Sequence, residues 1–187
     1  MRIARATLMK SWTRFSVLAA LVFAVLAYLD YRLKALAGVN TADMGGFSSK
    51  VEFQAAFVVW RPLDLAVRAG FNLGLDYLLM PLYAAAFFYS GIVAAEGLAP
   101  RPGRTRRIIL AMIWVPVIGA FAGACENALH LSMLFQGTAN DTLVMASGIA
   151  NRVKMVALMV GLLLFVGAVM ARFQERRARQ TRVGFGD

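Results

Sequence analysis

The sequence has one cysteine and one histidine in 187 residues. A single thiol excludes an internal disulfide framework and any CxxC redox pair, which rules out a quinone-linked thiol oxidoreductase of the four-helix type. A single imidazole excludes a bis-histidine haem and a His-rich metal centre. Charge is scarce too, at 16% against 60% hydrophobic residues, whereas soluble domains hold apolar usage near ~45–50%. That balance excludes a soluble domain and makes the chain a membrane protein. The charge is also one-sided, with 20 Lys+Arg against 10 Asp+Glu and a net +10. In a soluble chain this excess would raise nucleic acid as a partner. Here the arginines flank apolar runs, so they read as topology signals and contacts with anionic lipid heads, and no nucleic acid is expected.

What is present is four apolar stretches, at about 12–34, 72–97, 108–135 and 142–171, each near or above the ~20 residues that cross a bilayer core. The expected fold is all-α, a polytopic antiparallel four-helix bundle forming a single membrane domain over 1–187. The first stretch follows a basic segment (Arg2, Arg5, Lys10, Arg14), which leaves a cleaved signal peptide as the rival to an uncleaved anchor. Arg32 and Lys34 crowd the Ala35-Leu36-Ala37 cleavage site and favour the anchor. Of the 20 basic residues, 13 fall in the N-terminal segment, the 98–107 loop and the tail from Arg172, and none in the 136–141 hairpin. Positive-inside counting then places both termini in the cytoplasm of a bacterial inner membrane. The 38–71 connection is expected outside. It opens with a loop over 38–46, and Ser49 with Glu52 forms a capping-box pattern that starts a short helix from about Lys50 to Trp60. Phe53, Phe57 and Trp60 share one face of that helix, which suits the outer interface. Arg61-Pro62 should break it and start the next. The Arg-rich tail 172–187 is expected to fray.

Helical spacing draws the polar residues into stripes. Asn72, Asp76, Met80, Tyr83, Phe87 and Ser90 share a face of the second span, and Pro116, Gly119, Gly123, Glu126, His130 and Met133 a face of the third. Ser147, Asn151, Lys154, Leu158, Gly161, Phe165 and Ala168 do so on the fourth. Gly119-x-x-x-Gly123 is a small-xxx-small packing pattern. Counted from the basic rim at about 1.5 Å per residue, Asp30, Asp76, Glu126 and Lys154 fall on one level near the outer boundary, with Asn127, Asn151 and Arg152 beside them. The candidate binding residues are therefore Asp76, Tyr83, Glu126, Asn127, His130, Asn151 and Lys154, with no catalytic residue, cofactor or metal assigned. Three readings of the cluster stay open: groups hydrated at the end of the bundle, a register-fixing structural cluster, or a functional pocket. His130, one turn from Glu126, reads as a solvated or hydrogen-bonded helix-end residue before it reads as a ligand or base. Tyr77, Tyr83 and Tyr89 are candidates for lining a pocket or for core and belt positions, and Cys125 for a small packing residue.

The run Leu75-Asp76-Tyr77-Leu78-Leu79-Met80-Pro81-Leu82-Tyr83, Glu126-Asn127 late in the third span and Lys154 early in the fourth resemble small uncharacterised bacterial four-span proteins. In these a glutamate-bearing short helix, here Val51-Glu52-Phe53-Gln54, precedes the second span. The resemblance covers most of 45–160. It implies the fold, marks Asp76, Tyr83, Glu126, Asn127 and Lys154 as family-type positions, and implies no activity. Four-helix EXPERA proteins also place acids and a His among membrane helices, in a different motif order, and offer analogy only. The leading expectation is a non-enzymatic protein with an outward-opening polar site that binds a lipid, a small amphiphile or a partner membrane protein. Its partners would be anionic lipids on the cytoplasmic face and a second membrane protein or copy of itself. The alternatives are an acid–base enzyme on a lipophilic substrate and an ion or solute transporter. The transporter is disfavoured because no ionisable relay lies between Asp76 and Glu96.

Overall fold

The computed structural model describes residues 5–61 and 64–183, with side chains to 177. It contains seven helices among the described residues: α1 (Arg5–Ala37), α2 (Thr41–Met44), α3 (Lys50–Trp60), α4 (Leu65–Leu98), α5 (Arg104–Met112), α6 (Val115–Gln136) and α7 (Asp141–Val183). α1, α4, the α5–α6 unit and α7 are each long and apolar enough to cross a membrane. The protein is an all-α, multi-pass helical bundle. α4 is its centre, packing against α1, α6 and α7, while α6 and α7 pack on each other. Large apolar side chains such as Leu21, Phe23, Phe121, Met159 and Leu163 project outward, as lipid-facing positions do when no water has to be excluded from them. Cys125 is on this outward side and is not a packing residue.

The small-residue stripes set how closely the helices approach. A Cβ at Gly119 would collide with that of Ala157, so α6 and α7 meet there with almost no side chain between them. The expected third span is interrupted at Ile113–Trp114, between α5 and α6. Pro116 has no N–H for the carbonyl of Met112, and the chain restarts with proline in the first turn of α6. α6 ends on Gly137 at φ 63, with Thr138 N–H donating to the Met133 carbonyl and Gly137 N–H to that of Leu134. This left-handed cap suits glycine, and Arg61 clamps it by donating to the Gly137 carbonyl at 3.0 Å.

The end of the bundle opposite the basic termini is built differently from the expected loop and interfacial helix. The 38–46 segment contains the one-turn helix α2, closed by a capping box between Asn40 and Asp43. α3 has the expected bounds and the expected Ser49–Glu52 capping box. The Glu52 carboxylate accepts from Ser48 N–H at 2.7 Å and Ser49 N–H at 2.9 Å, and these donors hold its pKa below the usual carboxylate value. The aromatic face of α3 is not at an interface. Phe53, Phe57 and Trp60 are fully or almost fully buried with Leu33, Met44, Leu65, Ala69, Met133 and Val144. Three aromatics spaced along one face cover the helix ends beneath them, which makes α3 a cap on the bundle.

Pro62 lies outside the described residues. α4 begins at Leu65, seven residues before the expected start, after Asp64 in a left-handed conformation at φ 52. At the basic end α7 continues past 172 to Val183, and the last four residues of the tail lie outside the described residues. Its extension is rich in arginine, a good helix former. Glu175 ties it down by pairing with Arg172 at 3.4 Å and with Arg5 of α1.

Candidate functional site

A cavity of about 1170 Å³ runs between α1, α4, α6 and α7 and beneath the 40–46 segment. All seven candidate residues, Asp76, Tyr83, Glu126, Asn127, His130, Asn151 and Lys154, line it. Its polar side chains are concentrated at the capped end. Toward the basic end its wall is Ala19, Ala20, Phe23, Ala86, Phe87, Leu158, Leu162 and Phe165, with Ser16 among them. The lining on α1 extends from Ser16 to Lys34, about 27 Å along the helix at its rise per residue, close to the ~30 Å of a bilayer core.

The polar end is a girdle that links successive helices at one level. Asn72 of α4 donates to Asp30 of α1 at 3.1 Å, and Asn127 of α6 donates to Asp76 of α4 at 2.9 Å. Lys154 of α7 forms an ion pair with Glu126 of α6. Asn151 of α7 donates to the Gly45 carbonyl at 2.6 Å, and Thr41 N–H closes the ring by donating to Asp30 at 3.2 Å. Gly45 is seated so tightly that a Cβ there would lie 3.1 Å from Glu126 Oε1 and 3.2 Å from Asn151 Oδ1. The depth count thus placed four ionisable groups on one level that the side chains join, but it missed the partners Asn72, Thr41 and Gly45. Asn72 was visible as the first member of its stripe. The roles of Thr41 and Gly45 depend on how 38–46 folds back, which no periodicity reports.

Burial differs around the girdle: Asp30, Asp76, Asn151 and Lys154 are half-buried, while Glu126 and His130 are buried. Glu126 is 2% exposed and His130 1%, because the 40–46 segment and α3 lie over them. Phe53 of α3 packs against the His130 ring with centroids 5.5 Å apart, so the solvated helix-end reading of His130 is corrected. Of the three tyrosines only Tyr83 lines the cavity. Tyr77 donates to the Ala124 carbonyl at 3.1 Å, and Tyr89 stacks on Phe15 at 5.7 Å.

Two features distinguish the cavity from a packing defect. Ser16 Oγ, Tyr83 OH and His130 Nε2, all on residues of its wall, are buried without a hydrogen-bond partner among the described residues. Buried polar atoms are nearly always satisfied, so three orphans around one space mark it as polar space to be filled. Its flank is also open. α1 meets α7 at the basic end, where Trp12 packs on Phe165 and donates to Ser90 at 2.8 Å. Farther along, the wall includes Phe23, Tyr31, Met155 and Leu162, all at least half exposed. The cavity therefore communicates with the lipid-facing side between α1 and α7. Among the described residues no group of three or more His, Cys, Asp or Glu side chains is placed to hold a metal ion. Comparison with protein families, curated proteins and solved structures finds no match for this chain.

Proposed function

We propose that this protein is a non-enzymatic binder of a lipid or small amphiphile in a bacterial inner membrane, with both termini cytoplasmic. The ligand enters sideways between α1 and α7, places its head in the girdle and lays its chain along the apolar wall toward Phe165. The observation that carries this reading is two orphaned polar atoms, Tyr83 OH and His130 Nε2, in a laterally open cavity whose polar groups gather at one end and whose remaining wall is mostly apolar. A register-fixing cluster accounts for the bonds of Asp30, Asp76, Glu126 and Lys154, but it leaves Tyr83 and His130 unexplained. Native mass spectrometry of the gently solubilised protein tests the proposal. A bound amphiphile is expected, and Leu158→Trp, which fills the apolar half, should displace it. Retention unaffected by that substitution would refute the assignment to this cavity. The orientation is tested by labelling single thiols in a Cys125→Ser background. Asn140→Cys should react from outside intact cells, and Arg104→Cys only after lysis.

A second reading draws on the placement of Glu126, His130 and Tyr83 around one space, which is suited to acid–base chemistry on a lipophilic substrate. Glu126 is already engaged by Lys154, so a substrate would have to compete with that lysine for the carboxyl. Complete loss of function in a stably folded Glu126→Gln variant would favour the enzyme.

A further inference from the structure

The cavity holds two carboxylates without a counter-charge. Of the two lysines on its wall, Lys154 is engaged by Glu126, and Lys34 by Asp43 at 2.9 Å. Asp30 receives only neutral donors, from Thr41 and Asn72, and Asp76 only Asn127, through Oδ2. Neither has an ion-pair partner among the described residues. Asp30 and Asp76 are half-buried on the wall of this space, so each carboxylate is partly desolvated with no cation beside it. Counting Glu126, the wall carries more negative than positive charge. In the same space Tyr83 OH and His130 Nε2, on side chains more than nine-tenths buried, have no partner.

We infer that the ligand's head carries a cationic nitrogen, as in a long-chain amine or an ammonium-bearing lipid, and that Asp30 and Asp76 receive it. This inference rests on the amphiphile reading above and narrows it. An ammonium group offers the charge-assisted donors that both carboxylates lack. In an ammonium-bearing lipid the phosphate and ester oxygens would in addition accept from the Tyr83 hydroxyl. An anionic head would meet a net negative wall whose lysines are already paired, and a neutral head would leave both charges uncompensated.

The test uses the full chain in a non-ionic maltoside detergent with four probes: dodecylamine, dodecanol, dodecanoate and lyso-phosphatidylethanolamine. Affinity is read by native mass spectrometry and by stabilisation against heat. Dodecylamine should bind at least about tenfold more tightly than dodecanol, and Asp76→Asn and Asp30→Asn should each remove about tenfold of the amine's affinity with little effect on the alcohol. Comparable binding of lyso-phosphatidylethanolamine would identify the nitrogen as that of a zwitterionic lipid, and its exclusion would identify it as that of a free amine. Equal binding of amine and alcohol, or tightest binding of dodecanoate, overturns the cationic head while leaving the amphiphile site standing. Binding of none of the four, or binding indifferent to Leu158→Trp, overturns both. Should either Asn variant fail to fold, the ranking of the probes on the unaltered chain decides.

Discussion

Removing Lys154 while keeping Glu126 should be among the most damaging single changes available in this protein. The Glu126 side chain is 3% exposed and the Lys154 side chain 18%. Lys154→Met keeps most of the volume and strands the carboxylate in a tight site beside Gly45, where the Asn151 amide N–H is already donated to the Gly45 carbonyl. Breaking a buried pair from one side costs about 3–5 kcal/mol. The partial exposure of the lysine and the adjoining cavity place this case at the lower end, about 3 kcal/mol. The reverse change is milder. Glu126→Gln leaves a lysine on a flexible stem that can turn its ammonium toward Asp76 or the polar rim, at a cost of about 1–2 kcal/mol. The double variant should recover about half of the Lys154→Met loss, because it removes the stranded charge. The assay is reversible denaturant unfolding in mixed micelles, followed by helical circular dichroism across the full cycle. Strict additivity of the two changes, or Glu126→Gln costing more than Lys154→Met, would refute the reasoning.

Gly119→Ala should cost about 1–3 kcal/mol by forcing α6 from α7, and Ala157→Gly in the same chain should restore part of it, as read by the same unfolding assay. The lowered pKa of Glu52 means that its stabilisation of α3 is present in full above the usual carboxylate range and is lost as the pH falls through its folded value. Amide exchange at the start of α3 should therefore quicken on acidification, and Glu52→Gln should flatten that dependence.

The bundle was legible because its signals are long and redundant. Four apolar runs and three small or polar stripes each repeat over several turns, and the buried set of α6, from Pro116 to Met133, is the predicted stripe with Asn127 added. The Ser49–Glu52 box likewise fixed the start of α3 to the residue. What was not legible depends on single residues or on distant contacts. The break before α6 turns on Pro116, which is also a common first-turn residue and so did not announce an interruption. The burial of Trp60 and His130 depends on α3 folding over the ends of α4, α6 and α7. An aromatic face reads the same in sequence whether it covers lipid heads or helix ends. Charge scarcity made the polar cluster visible, yet spacing along a helix gives level and face and not the partner. The pairing of Asp30 with Asn72 and Thr41, and hence the absence of a cation beside it, had to come from the structure.

That pairing bears on how α1 is held. In its most apolar stretch 11% of the residues are buried, against 50% in α4, so α1 has little packing area with which to hold its place. Its ends are fixed, by Trp12 and Leu8 at the basic end and by Asp30 at the girdle. Between them it forms one wall of the cavity and faces α7 across a gap. A chain lying in that gap would supply the packing that α7 does not. Ligand binding and the docking of α1 are then coupled, and coupling of this kind is reciprocal. An amphiphile that fills the cavity should slow amide exchange over residues 16–30 of α1 more than in α4 or α6. Loosening α1 at its other end by Trp12→Ala, which removes the contacts with Ser90 and Phe165, should weaken an amine and an uncharged amphiphile alike. Exchange protection spread evenly over all four long helices would instead mean that the ligand stabilises the bundle as a whole, and α1 would not be its gate.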